Sequence, residues 1–250
     1  MPLPIIATPT YTLDLPSTGK KISFRPFLVK EEKLLLMAAQ VDDETEAAEE
    51  GVKAIKQIIL NCCEGLGDID ELPLFDLEYI FLQLRARSVG EIVEVEVTCS
   101  ECKQPIKLKI DVSKITVTKP KGHKKDIRLT DKVGVKMQYP SFDIFQRRIG
   151  NADFDVEQLF DILIDCIECI YTEEEVHNVR DYTREEISEF LESLSQDQFQ
   201  KIQNFFDTIP RVEHTVKFTC KHKTPTGEGT STTCGNKGEI TLSSINDFFG

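Results

Sequence analysis

Two pairs of cysteines carry the strongest chemical signal in the chain. Val95-Glu96-Val97-Thr98-Cys99 is followed by Cys102, and Val216-Lys217-Phe218-Thr219-Cys220 is followed by Cys234. Cys99-Ser100-Glu101-Cys102 sets two thiols across a tight turn, where both can bind one ion. Deprotonated sulfur at about 2.3 Å from a tetrahedral centre suits zinc. The second pair is wider, separated by Lys221 to Thr233, a polar stretch with the glycines and proline expected of an irregular excursion. One zinc held by Cys99, Cys102, Cys220 and Cys234 is the expectation. Disulfides and unliganded thiols are the alternatives, and His222 is the candidate replacement for one sulfur. Closing the chain between Cys102 and Cys220 costs on the order of 4 kcal/mol plus a constant. A structural zinc contributes about 10–16 kcal/mol, enough to fasten distant parts of the chain. Four thiolates also fill the tetrahedron, which favours a structural over a catalytic metal.

Hairpins must present these thiols. Val93, Val95 and Val97 alternate with Glu94 and Glu96, and Ile106, Leu108, Ile110 and Val112 alternate with polar residues after the turn. Val216, Phe218, Ile240 and Leu242 repeat the pattern around the second pair. Ahead of them, Tyr11 to Leu15 and Ile22 to Arg25 predict a hairpin turned through Pro16 to Lys20. Helices are expected from Lys30, with Leu34, Leu35 and Ala38 on an apolar stripe, and after the acidic Asp42-to-Glu50 run, with Ile55, Ile58, Ile59 and Cys62 buried. A third is expected from Leu74 to Arg87, where Phe75, Tyr79, Phe81 and Leu82 form a broad apolar surface ended by Gly90.

The second half repeats this order of elements. Asp126 to Leu129 and Val133 to Tyr139 predict a strand pair, and Phe154 to Tyr171 a strongly apolar helix. Thr183 and Ser195 are caps for helices over Arg184 to Leu194 and Asp197 to Thr208, the latter stopped by Pro210. Cys166 and Cys169 could share a helix face, yet no second cysteine pair accompanies them, and they, like Cys62 and Cys63, are expected in the core. The predicted class is α+β: a helical body with antiparallel β-hairpins, two of which bring their cysteines into a split zinc-ribbon-like site. Residues 1–250 are expected as a single compact domain, or as two intertwined lobes at about 1–118 and 119–250 joined at the cysteine hairpins.

Composition narrows the function classes. The net charge of −13 opposes nonspecific nucleic-acid binding, because phosphate contacts need local positive charge. The basic run Lys119 to Lys125 is expected as a solvated loop. No apolar segment approaches the roughly 20 residues that span a bilayer, and no charged-then-apolar leader is present, so neither stable membrane insertion nor secretion is expected. Nucleophile elbows, phosphate-binding loops, dinucleotide fingerprints and His-Glu-x-x-His pairs are missing from the sequence, and its four histidines have no nucleophile or carboxylate orienter beside them. An enzyme is not expected. Phe248 and Phe249 are candidates for a partner surface or for the chain's own core.

Ordered phrases carry a family resemblance. Pro9-Thr10-Tyr11, Phe24-Arg25-Pro26-Phe27-Leu28-Val29-Lys30-Glu31-Glu32-Lys33, Leu84-Arg85-Ala86-Arg87-Ser88-Val89-Gly90-Glu91 before the first cysteine pair, and the closing Phe248-Phe249 resemble the baseplate hub subunit family of T4-like contractile-tailed bacteriophages. The resemblance spans nearly the whole chain, and a sibling group acts as a hub assembly chaperone. It implies a structural or assembly protein of the tail baseplate, without enzyme activity, acting at the central hub above the membrane-piercing spike. Its partners would be other hub or tail proteins, in the virion tail or in the host cytoplasm during assembly. The cysteine ligand set comes from spacing alone. An intracellular zinc-ribbon adaptor and a zinc enzyme are the competing classes.

Overall fold

A computed structural model describes residues 6–146, 156–225 and 231–243. Phe248 and Phe249, the candidates for a partner surface or for the chain's own core, lie outside the described residues.

The chain opens with strands Tyr11–Asp14 and Lys21–Phe24, paired antiparallel with Tyr11 opposite Phe24. Alternation decides which side is buried: Ile22 and Phe24 point into the core and the intervening residues do not. Helix Val29–Ala38 follows, and helix Glu44–Cys62 starts earlier than the acidic run suggested. Asp43 accepts hydrogen bonds from the Thr45 and Glu46 amides, so the acidic residues are themselves helical from Glu44 onward. Carboxylates at a helix N-terminus meet its unsatisfied amides, which is why an acidic run there starts a helix rather than a loop. Cys62 ends the helix, and Cys63–Glu64 adds a third strand beside Lys21–Phe24.

Helix Leu74–Ser88 is the spine of the molecule. Leu77, Ile80, Phe81 and Leu84 enter a core with the first hairpin and the two preceding helices. Leu82 and Ala86, on another face, enter a separate core with Val93, Ile110, Val112, Ile115, Val212 and Leu242 from the cysteine hairpins. A helix apolar on nearly every side belongs between two layers, as this one does. Its buried Asp76 takes hydrogen bonds from the amide and hydroxyl of Ser17, fixing the turn of the first hairpin to the helix start.

A third core lies in the second half. Strands Asp126–Arg128, Gly134–Met137, Ile167–Tyr171 and Val176–Asn178 make a four-stranded antiparallel sheet in that spatial order. Helices Val156–Asp165, Arg184–Glu192 and Gln196–Asp207 supply Leu163, Ile164, Ile187, Leu191, Ile202 and Phe205 to the core beneath it. Thr183 and Ser195 each cap a helix, and each forms a reciprocal capping box.

The expected helix from Phe154 to Tyr171 is corrected: the described helix ends at Asp165, and Ile167–Tyr171 is a strand. Ile167, Glu168 and Cys169 alternate buried, exposed, buried, and the Cys166 carbonyl accepts the Gln138 amide at 2.8 Å. Period-two burial and an available sheet edge override the apolar run that resembled helix. Gly134 lies under the ring of its cross-strand partner Tyr171, where a Cβ would meet ring atoms at 2.2–2.7 Å. The basic run is a largely exposed loop, as expected, with three tethers. Lys119 donates to the Pro16 carbonyl at 2.7 Å, His123 packs against Tyr139 and Phe205, and Lys125 Nζ sits 4.0 Å from the Tyr139 ring centre.

Candidate metal centre

Two antiparallel hairpins carry the four thiols. Ile92–Thr98 pairs with Pro105–Asp111, and His214–Thr219 pairs with Lys237–Leu242. They are brought together by more than their cysteines. Val117–Thr118, after the first hairpin, pairs with Arg211–Val212, before the second, with Val117 opposite Val212. Both hairpins rest on the Leu82 and Ala86 face of the spine helix.

The turns share one backbone design. In the first, the Cys99 amide donates to the Gln104 carbonyl at 2.9 Å and the Lys103 amide returns to the Cys99 carbonyl at 3.0 Å. In the second, the Cys220 amide donates to the Asn236 carbonyl at 2.7 Å and the Gly235 amide returns to the Cys220 carbonyl at 3.0 Å. The residue after each second cysteine is left-handed, with φ 57° at Lys103 and 68° at Gly235. Glycine adopts that conformation freely, whereas lysine does so at a steric cost. The longer second interval is not irregular throughout: Lys223–Pro225 pairs with Ser231–Thr233 as a small hairpin inserted into an otherwise matching turn.

The structure brings all four predicted cysteines into one cluster, their Sγ atoms all within 4.8 Å of one another. Cys102 and Cys220 Sγ are 3.6 Å apart, and Cys99 and Cys234 Sγ are 3.9 Å apart. Four sulfurs each about 2.3 Å from a tetrahedral centre lie about 3.8 Å from one another, so the spacing fits zinc. It does not fit disulfides, which need about 2.05 Å. Cys99 and Cys220 are fully buried, while Cys102 and Cys234 are partly exposed.

Neighbouring groups prepare the sulfurs. The Cys102 main-chain amide, followed by Asn236 Nδ2 at 3.5 Å, holds the Cys99 thiol down to about 6. At Cys220 the His222 amide pulls the other way, but burial and the adjoining thiols outweigh it and push the group up to about 12. The Cys99 sulfur is thus the readier of the two to meet an incoming cation as thiolate. Asn236 also donates to Ser100 Oγ at 3.0 Å, tying the second turn to the first. His222 Nδ1 lies 3.6 Å from Cys220 Sγ, bonded to a cluster sulfur rather than replacing one.

Sequence reasoning missed Asn236, Ser100 and the left-handed Lys103. Gly235 directly after Cys234 was the available sign of the matching turn, whereas nothing in the identity of Lys103 marks its conformation. The remaining cysteines stay apart from the cluster. Burial pushes Cys62 up to about 11, and Cys63 and Cys166 each up to about 12, as expected of thiols that serve as small core hydrophobes. Among the histidines, His123 Nδ1 is 2.9 Å from Thr208 Oγ1 and His177 Nδ1 is 2.6 Å from Tyr182 Oη.

Three of the phrases that carried the resemblance, at 9–11, 24–33 and 84–91, meet in space. Tyr11 and Phe24 rings lie 5.6 Å apart, and Arg87 sits 5.1 Å from the Tyr11 ring centre. The Phe27 amide donates to Ser88 Oγ at 2.9 Å, and Arg25 pairs with the buried Glu31 at 2.9 Å. No helix among the described residues is long and apolar enough to cross a membrane. Comparisons with curated proteins and with solved structures returned no match. A family model does match, over residues 8–250, and the chain belongs to the family described as T4 bacteriophage base plate protein.

Proposed function

We propose that this baseplate protein acts in forming the central hub, as a structural or assembly component, and that Cys99, Cys102, Cys220 and Cys234 together hold one structural zinc. The observation that carries the metal reading is the closeness of four thiols, all within 4.8 Å of one another, from two hairpins far apart in sequence. Bound zinc would supply a closed, four-sulfur cross-link and no open position for substrate. We read residues 1–250 as a single compact domain, or as two intertwined lobes at about 1–118 and 119–250 joined at these hairpins. The partners are other hub or tail proteins, met in the host cytoplasm during assembly and in the virion tail.

Two experiments test this. Elemental analysis of chain purified without chelator should give close to one zinc per molecule, and full stability with no bound metal would overturn the clasp. Deleting the gene should leave infected cells without assembled hubs; normal contractile tails from that mutant would sink the hub assignment.

A further inference from the structure

We propose that the groove between the two cysteine hairpins accepts an extended acidic segment of a partner protein as an added β-strand. The hydrogen-bond phase of each hairpin shows which main-chain groups are free. Cys99 to Gln104 and Val112 to Glu91 bonds fix the first ladder, so that Ile106 and Leu108 bond to the paired strand and Lys107 points its amide and carbonyl away. Cys220 to Asn236 fixes the second in the same way: Val216 and Phe218 bond inward, and Lys217 points outward. Each ladder has only two strands, so these outward groups have no ladder partner among the described residues.

A groove of about 660 Å³ runs along both free edges, bounded by Ile106, Lys107 and Leu108 on one side and by Lys217 and Phe218 on the other. That volume is within the range, about 300–1,000 Å³, of sites that bury a small ligand. Side chains alternate along it. Ile106, Leu108 and Phe218 are half-buried on one face, and Lys107 and Lys217 are exposed on the other. A strand laid between them would set alternate side chains against apolar and cationic surfaces.

Charge selects the occupant. Lys107, Lys217 and Lys221 line the groove and none has an ion-pair partner among the described residues, while Glu96 is the one acidic residue lining it. Unpaired lysines gathered on one groove stand out in a chain of net charge −13. Edge lysines repel a second copy of the same edge. A segment alternating apolar and acidic residues satisfies both faces and the exposed main chain. This inference depends on the register and edges of the hairpins, not on the identity of the ion between the thiols.

The test uses the full chain and a fluorescent synthetic peptide of about eight residues alternating valine and glutamate. Saturable binding that weakens with salt is expected, and the triple substitution Lys107→Glu, Lys217→Glu, Lys221→Glu should weaken it by at least about tenfold. A peptide with proline at its central positions should lose binding, because it cannot pair along the edge. Hydrogen exchange on unsubstituted protein gives a second readout: the peptide should slow the Lys107 and Lys217 amides by at least about tenfold. Equal binding of a valine–lysine peptide, undiminished binding of the proline peptide, protection confined to other amides, or no saturable binding would each overturn the proposal. Zinc content is measured on the same samples, so loss of the metal site is seen separately from failure of the groove.

Discussion

Adding zinc to metal-free chain near pH 7 should release protons, but fewer than one for each of the four thiols it binds. Four thiolates are needed at the centre, but Cys99 is held down to about 6 by the Cys102 amide and Asn236, so its proton has already left. Cys220, pushed up to about 12 by burial and its thiol neighbours against the pull of the His222 amide, must give up a proton on binding. Below about pH 6, where Cys99 is itself protonated, the count should rise by about one. Calorimetry in two buffers of unlike ionisation enthalpy measures this number directly. The two turns should respond differently to substitution. Cys99→Ser removes a ligand that was already ionised, so affinity falls while the count is unchanged; Cys220→Ser removes one that was not, so the count falls by about one. Saturating zinc that releases no protons would refute the thiol site. Equal losses from the two substitutions would refute the electrostatic account of it.

Other perturbations probe the frame. Burial alone would raise the Glu31 pKa, but Arg25 at 2.9 Å and the Leu28 amide outweigh it and hold the group below the usual range. Glu31→Ala should therefore cost about 3–5 kcal/mol in urea unfolding near neutral pH. Because the folded pKa is depressed, the Glu31 contribution is present above about pH 4.5 and is lost as pH falls through the folded value, which a pH series of melts would show. Glu78 has the opposite sign, raised by burial to about 7. Its penalty is absent below the ordinary carboxylate range and grows as pH rises toward 7, so Glu78→Gln should stabilise by about 3 kcal/mol at pH 8 and by almost nothing near pH 4. Gly134→Ala should cost about 1–3 kcal/mol by displacing the Tyr171 ring, and should cost clearly less when Tyr171 is also alanine.

Much of the frame was legible because local chemistry decided it. Thr183 and Ser195 end loops and start helices through their own side-chain oxygens, and the valines around the first cysteine pair alternate with period two. The cysteine cluster was legible for the same reason, since two matching strand-and-cysteine phrases imply two similar turns. What escaped was set by distant partners. Ile167 to Tyr171 forms a strand because Gly134–Met137 and Val176–Asn178 stand on either side of it, and neither neighbour is encoded in its own apolar run. The tethers of the basic loop, His123 against Tyr139 and Phe205 and Lys125 over the Tyr139 ring, likewise depend on residues distant in sequence. The paired edge at Val117 and Val212 is only two residues long and gives no periodic signal.

The separation of Cys102 from Cys220, 118 positions along the chain, also sets a clock. At about 5–20 residues per second, a ribosome takes about 6–24 s to make the second pair after the first. During that interval the first turn can offer only two sulfurs to a metal, and the spine helix has no second hairpin to cover its Leu82 and Ala86 face. Tight zinc capture would then coincide with the return of the chain to its own first half. A nascent chain stalled between the two cysteine pairs would remain a weak metal ligand with an open apolar face, marked for chaperones rather than for the baseplate.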